Sequence, residues 1–137
     1  MSHTSLALLL LLTPSPGSGK TAAYLVPVIS RLTGKAKKWA APRPDPTRYN
    51  PQTDAVQAQP LVLIMCPTRE LAMQIFDEAR RFCYRTMLRP AVVYGGAPRR
   101  AQLDDLKRGC DILIGTPGRL KDFVETESRW LSLQRVK

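Results

Sequence analysis

Apolar and polar positions along this chain alternate between two kinds of stretch. Leu6 to Leu12 is an unbroken apolar run, and so is Leu61 to Cys66, "LVLIMC". "AVVY" at 91–94 and "DILIG" at 111–115 are shorter runs of the same kind. Continuous apolar stretches of this length predict strands buried on both faces of a parallel sheet. Between them the period lengthens. Residues 20–32, "KTAAYLVPVISRL", predict a helix with Ala22, Ala23, Leu25, Val26 and Ile29 on its apolar side, bent or cut short at Pro27. In 69–84 the residues Leu71, Ile75, Phe76, Ala79, Phe82 and Cys83 share one helical side. A helix from about Arg99 to Arg108, burying Leu103 and Leu106, and another from Gly118 complete the series. The alternation predicts an α/β fold: a parallel sheet with helices on both faces.

One segment breaks the pattern. Residues 33–60 have no sustained period and carry Pro42, Pro44, Pro46, Pro51 and Pro60. They predict a proline-rich basic insertion, whose Lys35, Lys37, Lys38, Arg43 and Arg48 form either a phosphate-contacting surface or a solvated charge run. Leu6 to Leu12 admits two readings. It is too short to cross a membrane, and no Lys or Arg precedes it as a signal peptide's first region requires. A buried strand suits the glycine-rich turn and helix behind it; a signal peptide over 1–17 of a secreted basic protein is the alternative.

Charge narrows the partners. Lys and Arg number 21 against 11 Asp and Glu among 137 residues, a net charge of +10. Such a field favours an anionic partner, nucleic acid above all. Cys66, Cys83 and Cys110 form no C-x-x-C pair, and His3 is the sole histidine, so a zinc site is not expected. Three spaced cysteines suit a reducing compartment and a role as small core residues.

Candidate chemistry sits where predicted strands end. Gly17-Ser18-Gly19-Lys20-Thr21 comes after the first strand and opens the first helix. It ends a phosphate loop of the form G-x-x-x-x-G-K-[ST], in which curled backbone N–H groups and a helix N-terminus face phosphate oxygens. Lys20 is the candidate for the β- and γ-phosphates and Thr21 for Mg²⁺. Pro14 stands at the first position of the pattern, and Pro16 removes one N–H from the loop. "PTRE", Pro67 to Glu70, comes after the second strand. There Arg69 is a cation at a helix N-terminus, which opposes the dipole unless it faces an anion or pairs with a carboxylate. "YGG", Tyr94 to Gly96, comes after the third strand. "GTPGR", Gly115 to Arg119, comes after the fourth. Three such turns on one sheet edge would align N–H groups, hydroxyls and arginines along a phosphate backbone.

Taken in order, "GSGKTAAYLVP", "PTRELAMQI", "YGG" and "TPGR" resemble the first RecA-like domain of DEAD-box ATP-dependent RNA helicases. "YRTMLRPAVVYGG" and "DLKRGCDILIGTPGRLKDFVE" look most like the Vasa-like branch. The resemblance spans about Gly17 to Glu125. It implies a partial RecA-like (P-loop NTPase) sheet over 17–137, interrupted by the 33–60 insertion and preceded by an atypical segment, 1–16. It implies ATP and Mg²⁺ at Gly17, Ser18, Gly19, Lys20 and Thr21. It implies single-stranded RNA, held without sequence preference, at Pro67, Thr68, Arg69, Glu70, Gly95, Gly96, Thr116, Pro117, Gly118 and Arg119. No membrane role is implied, and the family's setting is the cytoplasm or nucleus. The family's adenine-reading motif is not recognised in Met1 to Leu12. Its Asp-Glu-Ala-Asp motif, expected just past Lys137, and its second helicase domain are not among these residues. The expectation is therefore an ATP- and RNA-backbone-binding helicase fragment with no catalytic residue of its own; the alternative is a non-catalytic basic RNA-binding module competing with the full-length enzyme.

Overall fold

A computed structural model describes residues 8–11, 26–27, 29–31 and 47–136. Four parallel strands form one sheet: β1 (Leu8–Leu11), β2 (Val62–Met65), β3 (Pro90–Val93) and β4 (Ile112–Gly115). The helices described from end to end are α1 (Arg69–Cys83), α2 (Arg99–Leu106) and α3 (Pro117–Thr126). The spatial order is β1-β2-β4-β3.

The apolar runs of β2 and β4 become strands because both of their faces are covered. Val62, Ile64, Ile112 and Ile114 pack with Ala72, Ile75, Ala79 and Cys83 of α1 on one side of the sheet. Leu63 and Leu113 pack on the other side with Leu103 and Leu106 of α2 and Leu120 and Phe123 of α3. All three cysteines are buried, as expected of small core residues. At the edge of the sheet that opens β3 and β4, the buried Asp111 accepts a hydrogen bond from the Arg89 N–H at 2.8 Å.

Strand order explains the two-sided cover. From β2 the chain moves two places across the sheet to β3, then one place back to β4. Crossovers between parallel strands are right-handed, so reversing direction moves the connecting helix to the opposite face. Hence α1 lies on one side, and α2 and α3 lie on the other.

Several expectations need correcting. Residues 26–27 and 29–31 are helical and Ile29 is buried, but Val26 is 44% exposed rather than inward. Phe82 is 36% exposed. The sheet-facing stripe of α1 is centred on Ala72, Ile75, Ala79 and Cys83, and Phe82 falls at its margin. The predicted 33–60 insertion also ends earlier than its proline content suggests. The Val56 N–H donates to the Lys107 carbonyl at 2.8 Å, and fully buried Ala58 pairs with Leu131 in an isolated parallel bridge. Residues 56–60 therefore belong to the body of the domain. Among the described residues no helix is long and apolar enough to cross a membrane.

Candidate nucleic-acid interface

All four strands point the same way, so their C-terminal ends form one edge. β2 and β4 are neighbours whose succeeding helices leave to opposite faces. That divergence opens a crevice between their ends, the place where open α/β sheets bind ligands. Hydrogen bonds fix this edge. The Cys66 N–H donates to the Gly115 carbonyl at 2.8 Å, and the Thr116 N–H donates to the Val93 carbonyl at 3.1 Å. Burial pushes the Cys66 thiol up to about 11, so at neutral pH it is an inert core group rather than a nucleophile.

Pro67 and Thr68 carry the chain from β2 into α1. Thr68 is the N-cap: its hydroxyl accepts the Leu71 N–H at 3.2 Å, which satisfies one of the helix's orphan donors. Pro67, Thr68, Arg69 and Glu70 are all exposed. Arg69 pairs with its neighbour, Nε to Glu70 Oε1 at 3.2 Å, the carboxylate pairing that its position at a helix N-terminus calls for. The Glu70 carboxyl lies below the usual carboxylate range, held there first by a backbone N–H and then by Arg69. Both side chains are more than half exposed, so the pair adds little to stability.

Gly95 and Gly96 form the turn after β3. Gly96 has φ +84, and a Cβ placed there would lie 3.0 Å from Arg69 Nη1. Arg69 therefore reaches across from the end of β2 to the end of β3, and Gly96 leaves it room. Gly95 and Gly118 have nothing within 4 Å of where a side chain would begin.

The fourth turn starts α3. Thr116 is its N-cap but makes no capping bond with its side chain, and Pro117 sits at the start of the helix. Pro117 and Gly118 are exposed, while Thr116 and Arg119 are half-buried. Arg119 is tied inward by two bonds: Nη1 to Gln102 Oε1 at 3.2 Å and Nη2 to the Ala97 carbonyl at 3.3 Å. Three of its five N–H groups remain for an outside acceptor. The structure thus brings Arg69, Gly96, Thr116 and Arg119 to one edge. Residues Gly17 to Thr21 lie outside the described residues. β1 does end at Leu11, level with Met65, on this same edge.

Two contributors carried no sequence signal. Gln102 bonds the Tyr94 backbone as well as Arg119. Arg99 joins α2 to α3: Nε donates to Asp122 Oδ2 at 2.8 Å, Nη1 to Glu127 Oε1 at 2.9 Å and Nη2 to Thr126 Oγ at 2.7 Å. Spacings of 23 and 28 residues make such pairs invisible to a periodicity argument. Arg99 holds the Asp122 carboxyl below its ordinary value, with help from the Thr126 hydroxyl and the charge of Arg119. Asp122 in turn raises the Arg99 guanidinium. A carboxyl depressed in the folded state stabilises above its unfolded value, about 3.9, and stops doing so as pH falls through the folded value. Asp122→Asn should therefore lower the melting temperature at pH 7, and the gap to wild type should close as pH falls through about 4 and below. A gap independent of pH in thermal melts would assign the loss to packing rather than charge.

A model of the DEAD/DEAH box helicase family matches residues 8–137. Among solved structures, the yeast DEAD-box splicing factor Prp28 is 30% identical with a TM-score of 0.68, over 93% of this chain and 26% of that one. The RNA helicase Prp28 from Chaetomium thermophilum, bound to ADP, is 32% identical with a TM-score of 0.62, over 96% of this chain and 28% of that one. A hypothetical ATP-dependent RNA helicase from Sulfolobus tokodaii is 27% identical with a TM-score of 0.57, over 89% and 28%. These 137 residues thus span about a quarter of the length of the solved relatives, and the parallel sheet with helices on both faces is RecA-like. Matched along almost its whole length, and carrying the family's motifs in order at its strand ends, the chain belongs to the DEAD/DEAH box helicases.

Proposed function

We propose that this domain grips single-stranded RNA by its sugar-phosphate backbone at the C-terminal edge of the sheet, and that the segment after β1 holds the phosphates of ATP. The observation that carries the RNA reading is the convergence of Arg69, Gly96 and Arg119 at the crevice between β2 and β4. Two arginines, an uncapped helix start and two glycines with open space form a surface that phosphate can approach closely. Contacts of this kind read the backbone and not the bases, which makes binding independent of sequence. The +10 charge adds long-range attraction.

ATP rests on the chemistry of its donors. Gly17 and Gly19 permit the curled backbone, Lys20 supplies a cation, and Thr21 supplies a hydroxyl suited to Mg²⁺. When bound, ATP supplies the free energy that couples RNA release to hydrolysis in such helicases. With Pro16 lacking an N–H, phosphate binding by this loop is weakened.

Charge alone also attracts RNA, so the test separates site from field. Arg69→Ala and Arg119→Ala each remove one charge from the edge. Arg80→Ala removes one from the last turn of α1, at the other end of that helix. In a filter-binding assay the first two should each weaken binding by roughly 1 kcal/mol or more, and the third by much less. Equal effects from all three would reduce the edge to a diffuse basic surface.

A further inference from the structure

Tyr94 is the first residue past β3, where the backbone has left the sheet ladder. Its N–H and C=O still need partners. The side-chain amide of Gln102, on α2, supplies both: Oε1 accepts from the Tyr94 N–H at 3.1 Å, and Nε2 donates to the Tyr94 carbonyl at 3.0 Å. The same Oε1 accepts from Arg119 Nη1 at 3.2 Å. Its two lone pairs are then both used. These partners also fix which way the amide faces, because a flipped amide would set donors against two donors.

Gln102 therefore stands between two parts of the edge that are far apart in sequence. On one side is the Tyr94–Gly96 turn, against which Arg69 lies. On the other is Arg119, at the start of α3. The Ala97 carbonyl, just past the same turn, takes the second Arg119 nitrogen. Sliding the turn would break the Arg119 bonds, and swinging Arg119 away would free the Ala97 carbonyl and one acceptor site on Gln102.

We propose that Gln102 is a positioning residue that couples the Tyr94–Gly96 turn to Arg119, so that both meet the RNA backbone in one fixed register. The inference rests on the RNA reading above and adds a residue that does not itself contact RNA. It makes an unusual demand of an uncharged side chain: removing it should change the electrostatics of binding. Without Gln102 the guanidinium loses its inner acceptor and its aim, and one phosphate contact goes with it.

The experiment compares Gln102→Met, which keeps length and helix preference but forms no such bonds, with Arg119→Ala and the double variant. α2 keeps its other anchors, buried Leu103 and Leu106 and the Arg99 pairs to Asp122 and Glu127, so Gln102→Met should stay folded. Binding of a single-stranded RNA oligonucleotide is titrated against salt. Each phosphate contact contributes about −0.7 to the slope of log K against log salt. Gln102→Met should weaken binding roughly five- to tenfold at low salt and flatten the slope by about 0.7 although no charge is removed. The double variant should be no worse than Arg119→Ala alone. Amide exchange at Tyr94, measured without RNA, should speed up in Gln102→Met and slow again in Gln102→Glu, which restores both accepted bonds.

A wild-type slope in Gln102→Met, or additive losses in the double variant, overturns the coupling while leaving the RNA reading in place. Absent RNA binding by wild type, or no loss in Arg119→Ala, overturns the RNA reading and the coupling to RNA with it. Unchanged Tyr94 exchange in Gln102→Met overturns the bracing itself. Should Gln102→Met melt at assay temperature, Gln102→Leu, an equally good helix former without those bonds, takes its place in every arm with the same expected and overturning results.

Discussion

Phe123→Ala should cost this domain about 3–5 kcal/mol, the range for truncating a buried aromatic side chain. Among the described residues Phe123 is the largest fully buried side chain, and it joins α3 to Leu103, Leu106 and Leu113. Its ring also carries two cations, Arg99 at 5.0 Å and Arg119 at 5.7 Å from the centroid. Truncation therefore removes a core volume and the support beneath both arginines at once. A domain of this size has a total stability of about 5–15 kcal/mol, so a fifth or more of it is at stake. Urea denaturation followed by circular dichroism should show a lower midpoint, with Phe123→Leu retaining most of the stability. A loss below about 1 kcal/mol would mean that the α2–α3 side of the sheet is not closed over Phe123.

Gly115→Ala should be destabilising by about 1–3 kcal/mol, the range for overpacking a filled interior. A Cβ there would sit 2.8 Å from Val93 Cγ2, 2.8 Å from the Val93 carbonyl oxygen and 2.9 Å from Leu120 Cγ. None of these can easily retreat. The Val93 carbonyl accepts the Thr116 N–H, and the Gly115 carbonyl accepts the Cys66 N–H. Making room means breaking the bonds that hold three strand ends level. Gly118→Ala, three residues on, is the control. Nothing lies within 4 Å of its side-chain position, and alanine in a helix is favoured over glycine by about 0.5–1 kcal/mol. The same chemical change should thus lower stability at 115 and raise it at 118. If the RNA backbone approaches α3 as proposed, Gly118→Ala should weaken RNA binding in filter assays even as the melting temperature rises. Parallel changes in both quantities would make Gly118 an ordinary helical glycine.

By itself the sequence determined the strands and helices from residue 61 onward and the turns between them. Unbroken apolar runs at Leu61–Cys66 and Ile112–Gly115 could be stable only with both faces covered, and that forced a parallel sheet between helices. Gly, Pro and Thr at the strand ends marked the turns, and their order carried the family. Local periodicity encodes such features, because each depends on a residue and its near neighbours.

Tertiary structure alone decided how those turns meet. The order β1-β2-β4-β3 results from long-range pairing, and neighbouring positions in sequence say nothing about it. That order places β2 beside β4 with helices leaving to opposite faces, and so creates the crevice. It also carries Arg69 against Gly96 and Arg119 against Gln102, over 27 and 17 residues of chain. A glutamine on a helix's first turn has no periodic signature, and its role depends on which backbone the fold brings beside it. Residues 56–60 make the same point. They look like the end of a loop until Ala58 finds Leu131, 73 residues on, because burial belongs to the assembled chain and composition only biases it.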